Sequence, residues 1–292
     1  MTAATAGLRF AVPLRPTVGT RPIDESDWLI VDGDRAALLA TKERLLVHDH
    51  SEVVQLADLP NRIGTEVAEL VLNNYRRHHP GVLTRSGGLV TDVDSGLVVD
   101  LNADHPLLGI SRVVAEDLCV MVDRGGEWVL AGACVCFPSR WSLREKVGRS
   151  LDDIHDVVPG YAGPVAVASR RVFDRLTDGV LLRFNWTLLD DPELFQPRPP
   201  RSPAAVGPDG LYLRAERQTL RRLPDSGAVL FTIHTSVEPL GQVAQDPDRA
   251  RTLAASLRSS TPDTRAYKGW AELIEASAQF LEERAGDGAS RR

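Results

Sequence analysis

Cysteine and lysine are both scarce in this chain. Three cysteines among 292 residues cannot build a disulfide scaffold and point to a reducing compartment, so the cytoplasm is the expected address. Seven histidines stand beside them. Together they leave too few ligands for an elaborate metal cage, so any metal must be held by few protein atoms, and three thiols cannot complete a four-thiolate iron–sulfur site. Lysine occurs only at Lys42, Lys146 and Lys268, so arginine supplies 31 of the 34 basic residues. Against 40 acidic residues the net charge is −6, and the basic excess of a nucleic-acid binder is missing. Long apolar runs are missing too. The longest, Val129–Phe137, has nine residues, too few to cross a bilayer, so neither a nucleic acid nor a membrane is an expected partner. Arg9, Pro13 and Arg15 fall where a secretory segment would need unbroken apolarity. The sequence also lacks G-x-G-x-x-G, P-loop, G-x-S-x-G and H-E-x-x-H strings, which removes the signals for dinucleotide, P-loop, hydrolase and zincin chemistry.

What is present is ordinary globular material, 43% apolar and 25% charged. Up to about residue 80, short apolar stretches (Trp28–Val31, Leu45–Val47) alternate with polar turns. A helix is expected over Thr65–His79, with Val67, Leu70, Val71 and Tyr75 on one face and Pro80 ending it. Strands are expected between Leu83 and Leu101, around Ser86-Gly87-Gly88 and Asp94-Ser95-Gly96. A helix over Leu107–Val122 and a buried strand over Glu127–Phe137 follow. One long helix is expected over Trp141–Val158, from the capping pair Ser142 and Glu145 and the stripe Leu143, Val147, Leu151, Ile154 and Val158. Pro164 opens the next, with Val165, Ala168, Val172 and Leu176 on its stripe and Gly179 closing it. Val180–Thr187 alternates as a strand. Beyond a Pro-rich loop over Gln196–Pro203, Tyr212–Leu220 and Ala228–Thr235 form a hairpin around Pro224-Asp225-Ser226-Gly227. The order is α+β, with one antiparallel sheet and helices gathered against a face. It divides into an extension over 1–80, a core over 81–240, a C-terminal helical segment over 241–284 and a disordered tail over 285–292.

Two places carry candidate chemistry. His155 lies at the flank of the long helix's apolar stripe, and Gly148, seven residues earlier, would share its face. A histidine beside a missing side chain leaves room for something flat, such as a haem with the imidazole as axial ligand. On periodicity alone a hydrogen-bonded surface histidine is the commoner case. The second place is the strand Tyr212–Leu220. Alternation puts Arg214, Glu216 and Gln218 on one face and Arg217 on the other, with Arg183, Asn185, Thr232 and His234 added by neighbouring strands. Such a cluster is either the wet face of an antiparallel sheet or the polar wall of a pocket that binds an amine and steers protons. Cys134 and Cys136 read as buried core residues, His105 as a helix cap or, less commonly, a second ligand, and His48, His50, His78 and His79 as solvated.

Several stretches together are similar to one family. They are Cys136-Phe137-Pro138-Ser139-Arg140-Trp141, then Glu145-Lys146 and Gly148, Ile154-His155 and Val158-Pro159-Gly160-Tyr161. His105-Pro106, Glu116 to Cys119, Arg183-Phe184-Asn185-Trp186, Leu194-Phe195, Arg214 to Leu220 and Phe231-Thr232-Ile233 agree in order. Over about residues 10–280 the chain resembles the haem-dependent oxidative N-demethylase α-subunit family. The resemblance implies a PAS-like antiparallel sheet with flanking helices enclosing a pocket for haem b. It implies oxygen-dependent removal of a methyl group from a small secondary amine such as dimethylamine, giving the primary amine and formaldehyde. Electrons would come from a partner reductase carrying flavin and an iron–sulfur centre and using NADPH. His155 would be the iron ligand, and Tyr161 and the Arg214/Glu216/Arg217 strand would form the distal pocket. From their charge and not from the motif, Arg140 and Lys146 are expected at the haem propionates, with Gly148 leaving room for the ring beside His155. The register decides which of Arg214 and Arg217 faces the pocket. His234 and Ser236 depart from the Arg and Tyr more usual in the family, which implies a different amine specificity if they touch substrate. A PAS-like haem, gas or small-ligand sensor without turnover is the alternative.

Overall fold

In this computed structural model Thr5, residues 8–10, residue 14 and residues 18–199, 206–270 and 272–289 are described. The chain begins with β1 (Arg21–Ile23), α1 (Arg35–His48), α2 (His50–Val53), β2 (Val54–Gln55) and α3 (Asn61–His78). A three-stranded sheet of β3 (Leu83–Ser86), β4 (Leu89–Asp92) and β5 (Val98–Asp100) follows, and then α4 (Pro106–Ser111). The central part comprises β6 (Asp117–Asp123), β7 (Trp128–Cys134), α5 (Leu143–Lys146), α6 (Leu151–His155), α7 (Pro164–Arg175), β8 (Val180–Leu189), β9 (Tyr212–Arg222) and β10 (Val229–Pro239). Four helices close the chain, α8 (Leu240–Val243), α9 (Pro247–Arg258), α10 (Pro262–Lys268) and α11 (Ile274–Ala289).

The large sheet is antiparallel throughout, in the order β1-β8-β9-β10-β6-β7-β2. Its five central strands therefore stand in the chain order 2-1-5-4-3, and α5 to α7 are inserted between the second and third. Successive side chains point to opposite faces, which assigns a different cover to each face. On one face Leu118, Val120 and Leu230 pack with Val67, Val71, Leu107 and Ile110, while farther along Trp186, Leu188 and Leu213 pack with Leu253, Leu257, Trp270 and Leu281 of the C-terminal helices. On the other face Cys119, Leu220 and Ile233 pack under Leu143, Leu151 and Phe173. Moving along β8 and β9, this second face turns polar, through Arg183, Asn185, Gln218, Glu216 and Arg214.

Three expectations need correction. The segment over Leu107–Val122 is a helix only to Ser111, and Asp117–Asp123 is strand β6. The short apolar run Leu118–Val122 fits either element, and its β-branched Val120 and Val122 tip it toward extended backbone. The single helix over Trp141–Val158 is two short ones. Gly148 has φ of 82°, its N–H donates to the Leu130 carbonyl, and Leu130 N–H donates to Arg149. Because β2 reaches only Ala133 and Cys134 of β7, residues 148–150 complete the bare edge beside Val129 and Leu130 instead of continuing a helix. Ser142 makes no side-chain cap, whereas Ser150 and Asp153 form the reciprocal capping box. Finally, Leu45–Val47 belongs to α1, a helix whose buried side includes Arg35 and Lys42 and so hides its apolar period. At the other end α11 continues to Ala289, past Ala285. Residues 290–292, Pro13, Arg15 and residues 200–203 lie outside the described residues.

The charges on α1 tie it to the rest. Arg35 donates to Asp92 at 2.5 Å and to the Val113 carbonyl at 2.9 Å, and Asp92 also accepts from the N–H groups of Asp94 and Ser95 at 3.0 and 3.1 Å. Burial pushes the Asp92 carboxyl up, but Arg35 and those N–H groups outweigh it and hold the group below its ordinary value. The unfolded chain therefore takes up this proton first as pH falls. The stability that Asp92 contributes is complete above about pH 4 and is lost as pH drops through its lower folded value. The urea midpoint of Asp92→Asn protein should lie below that of the parent at neutral pH and converge toward it in acid; parallel pH curves would contradict the assignment.

Candidate functional site

The polar half of the second sheet face looks toward α6. This helix is only five residues long, fixed at its start by Ser150 and Asp153 and ending in His155. The His155 ring donates Nδ1–H to the Leu151 carbonyl at 2.7 Å, which fixes the tautomer and leaves the Nε2 lone pair uncommitted. Burial lowers the His155 pKa, and the nearby positive charges of Arg183 and Lys146 lower it further, so the ring is neutral at neutral pH. Tyr161 stacks on it with centroids 4.9 Å apart and planes inclined by 20°. Its hydroxyl donates to Asp152 at 3.0 Å, and Asp152 is paired with Arg170 of α7. Lys146 donates to the Ile154 carbonyl at 3.0 Å and so closes the end of α6 that carries the imidazole.

Facing these groups, the strand register sets Arg183 opposite Gln218, Asn185 opposite Glu216 and Thr187 opposite Arg214. Glu216 is 8% exposed. Its Oε2 accepts from Gln218 at 2.8 Å and Asn185 at 3.2 Å, while Oε1 accepts no hydrogen bond from the described residues. Thr235, across from Glu216 on β10, has a buried hydroxyl with no partner. From the sheet edge, Lys268 of α10 donates to the Trp186 carbonyl at 2.7 Å and lies over the Trp186 and Trp270 rings. Burial lowers its pKa to about 8, against the raising influence of Glu216.

Not every expected residue comes to this place. Arg217 points to the opposite face, where it donates to the Trp28 carbonyl at 2.9 Å and to that of Asp27. Arg214 is on the right face, but its guanidinium already serves Phe137 at 2.7 Å, Leu194 at 3.1 Å and Glu193 at 3.4 Å. Arg140 is bound to Asp190 and Gln196, with a left-handed φ of 61°. Gly148 belongs to the β7 edge and shares no helical face with His155, because the backbone turns there. Thr232 and His234 lie with Arg217 on the far face, where His234 Nδ1 is 3.6 Å from Glu116. Ser236 pairs with Ala215 and so also faces away from Glu216. His105 caps α4, accepting from Leu107 N–H at 3.1 Å. The three cysteines are buried and free, with thiol pKa values pushed well up by burial. Among the described residues no three His, Cys, Asp or Glu side chains converge on a metal site.

This donor set suits a group that asks one ligand of the protein. His155 presents a neutral imidazole nitrogen, and beside it stands an uncommitted guanidinium, Arg183, suited to a carboxylate. A sequence profile described as haem-dependent oxidative N-demethylase, alpha subunit-like, matches residues 19–277. The chain belongs to this family. His155, Tyr161, Arg183 and Glu216 all lie inside the matched region. The family name makes it an α-subunit-like component of a haem-dependent oxidoreductase and points to a partner subunit. No helix among the described residues is long and apolar enough to cross a membrane. The sequence pattern marks Arg183 only as one member of the polar wall and does not mark Lys268. The alternation of β8 placed Arg183 on the polar wall, yet nothing local signals its want of a partner. Nothing near Lys268 signals that α10 reaches the edge of β8.

Proposed function

We propose that this chain is the haem-bearing subunit of an oxygen-dependent N-demethylase acting on a small N-methylated amine. The reading is carried by the pairing of His155, its Nδ1 committed and its Nε2 open, with a carboxylate, Glu216, that keeps one oxygen open on the wall opposite. The antiparallel sheet with α5 to α7 inserted over one face supports a PAS-like enclosure for haem b. Bound there through His155, haem supplies the binding and reduction of dioxygen, with electrons delivered by a partner reductase that holds flavin and an iron–sulfur centre and draws on NADPH. Three free, buried thiols suit a reducing cytoplasm.

The chain's own part is binding and orientation. Asn185 and Gln218 hold Glu216 Oε2, so that Oε1 receives the alkylammonium by a charge-assisted hydrogen bond. Tyr161, tied to Asp152, holds the imidazole by stacking. Burial keeps the ring unprotonated and its Nε2 lone pair available. The overall change balances as dimethylamine, dioxygen, two electrons and two protons giving methylamine, formaldehyde and water. The purified protein is expected to carry a Soret band that shifts on adding dimethylamine. In Glu216→Gln protein the amine should bind about ten- to a hundredfold more weakly, the worth of one hydrogen bond to a charged group, with the haem content unchanged. A protein that takes up no haem, or a Glu216→Gln variant with unaltered amine affinity, would overturn this reading.

A further inference from the structure

Most deeply buried arginines here have partners. Arg35 has Asp92 and a carbonyl, Arg214 has three carbonyls, and Arg217 has two. Arg183 is different. It is half-buried, and its guanidinium makes no hydrogen bond or ion pair with any described residue. Its Nε is buried without a partner, as are those of Arg35 and Arg214, but unlike theirs its Nη atoms have no partner either. A half-buried guanidinium whose donors find no protein partner is open to an anion that reaches it over this face of the sheet.

The carboxylate nearest in the fold does not answer it. Glu216 sits diagonally across the β8–β9 ladder, opposite Asn185 and two residues along from Arg183, a separation of roughly 7–8 Å between backbones. The two side chains feel each other's charge, but Asn185 and Gln218 hold Glu216 Oε2 back. Two opposite charges are thus kept apart on one wall, each with bonding capacity unused. A monoamine answers Glu216 and leaves Arg183 unpaired. A molecule with an ammonium and a carboxylate a few bonds apart answers both.

We infer that the pocket takes a zwitterionic N-methylated amino acid, its carboxylate on Arg183 and its methylammonium on Glu216. This rests on Glu216 being the amine receptor. The methyl group is oxidised as before. One oxygen atom of dioxygen enters a methyl C–H bond and the other leaves as water, with two electrons from the reductase and two protons. The resulting N-hydroxymethyl group then loses formaldehyde by cleavage of its C–N bond, the nitrogen keeping the electron pair and taking the hydroxyl proton. A carboxylate on Arg183 has a second source, a propionate of the haem, and the experiment separates the two.

The test titrates the haem-loaded protein with N-methylglycine, dimethylamine and acetate, followed by calorimetry and by the absorption spectrum. N-methylglycine should bind at least about tenfold more tightly than dimethylamine, the worth of the extra charged hydrogen bonds. In Arg183→Gln protein that preference should vanish while dimethylamine affinity and haem content hold, and Arg183→Lys should keep part of it. Because no protein partner is lost, Arg183→Gln should melt no lower than the parent in the absence of ligand. Equal or tighter binding of dimethylamine by the parent overturns the inference, as does an Arg183→Gln variant that sheds haem yet keeps its ligand preference. If Glu216→Gln weakens both amines while Arg183→Gln changes neither, only the zwitterion inference fails. If Glu216→Gln leaves both unchanged, the amine-receptor reading fails with it.

Discussion

His155→Ala protein is expected to purify without the Soret band of the parent, although correctly folded. The argument has two halves. The first is that among the described residues no other side chain stands ready to replace this imidazole. His105 uses both ring nitrogens, on Leu107 N–H and the Leu59 carbonyl. His234 lies across the sheet, and the thiols are buried and held protonated by burial. Removing merely the group behind a metal-bound histidine costs about 10–100-fold in metal affinity, and loss of the ligand itself should exceed this. The second half is that the fold barely depends on the ring. Its one hydrogen bond is to Leu151 within its own helix, worth about 1 kcal/mol. Circular dichroism and the urea midpoint should therefore stay close to the parent's while haem content collapses, and added imidazole should restore colour to His155→Gly. Full haem content with an unchanged Soret spectrum in His155→Ala would remove the ligand assignment.

The second large effect concerns stability. Lys42 and Asp117 are wholly buried, with Nζ 4.0 Å from Oδ1. Lys42 donates to the carbonyls of Val114 and Glu116 at 3.0 and 2.5 Å, pinning α1 to the approach of β6. Asp117 accepts from the N–H groups of Cys136 and Phe137 at 2.8 and 2.9 Å, joining the start of β6 to the exit of β7. Lys42→Met strips two carbonyls and a carboxylate of their partner at once. A loss of about 3–5 kcal/mol is expected, a large share of the 5–15 kcal/mol typical of a folded protein, measured by urea unfolding. The pH dependence has a definite sign. Burial already raises the Asp117 pKa against the lowering influence of Lys42, and without Lys42 it rises further. A carboxyl that holds its proton more tightly when folded contributes stability below about pH 4 that is lost as pH rises through its folded value. The deficit of Lys42→Met should therefore be deeper at neutral pH than in acid. A loss under 1 kcal/mol, or one that deepens toward acid, would contradict this account.

What could be read from the residues follows the range of the forces involved. The β9–β10 hairpin was legible because strict alternation and the turn Pro224-Asp225-Ser226-Gly227 are local signals, and α7 because Pro164 and a 3.6-residue stripe are local too. That Arg217 and Glu216 would face opposite ways also follows from alternation alone. The long helix over Trp141–Val158 was misread because its competitor is distant in the chain: residues 148–150 find unpaired backbone on β7, and Gly148 can take the left-handed turn that joining it requires. Helix α1 escaped notice because Arg35 and Lys42 sit on its inner side, satisfied by Asp92 and by carbonyls dozens of residues away. At the candidate site the composition of the wall was visible in sequence, but the uncommitted state of Arg183 was not. An absent partner is a property of every neighbour at once.

The grip of Lys268 on the Trp186 carbonyl bears on how the open edge of β8 is covered. β8 meets β1 only over Val180–Leu182, so its remaining seven residues would be a bare margin, able to recruit a strand from another molecule. Lys268 takes one carbonyl of that margin, and the Trp270 indole N–H reaches another, Leu188, at 3.4 Å. The C-terminal helices thus act as a selvedge, finishing the fabric of the sheet where its weave would otherwise fray into its neighbour. Because this same stretch borders Asn185 and Glu216, the cover of the sheet edge and the support of the candidate site are one piece of chain, and neither can change freely without the other.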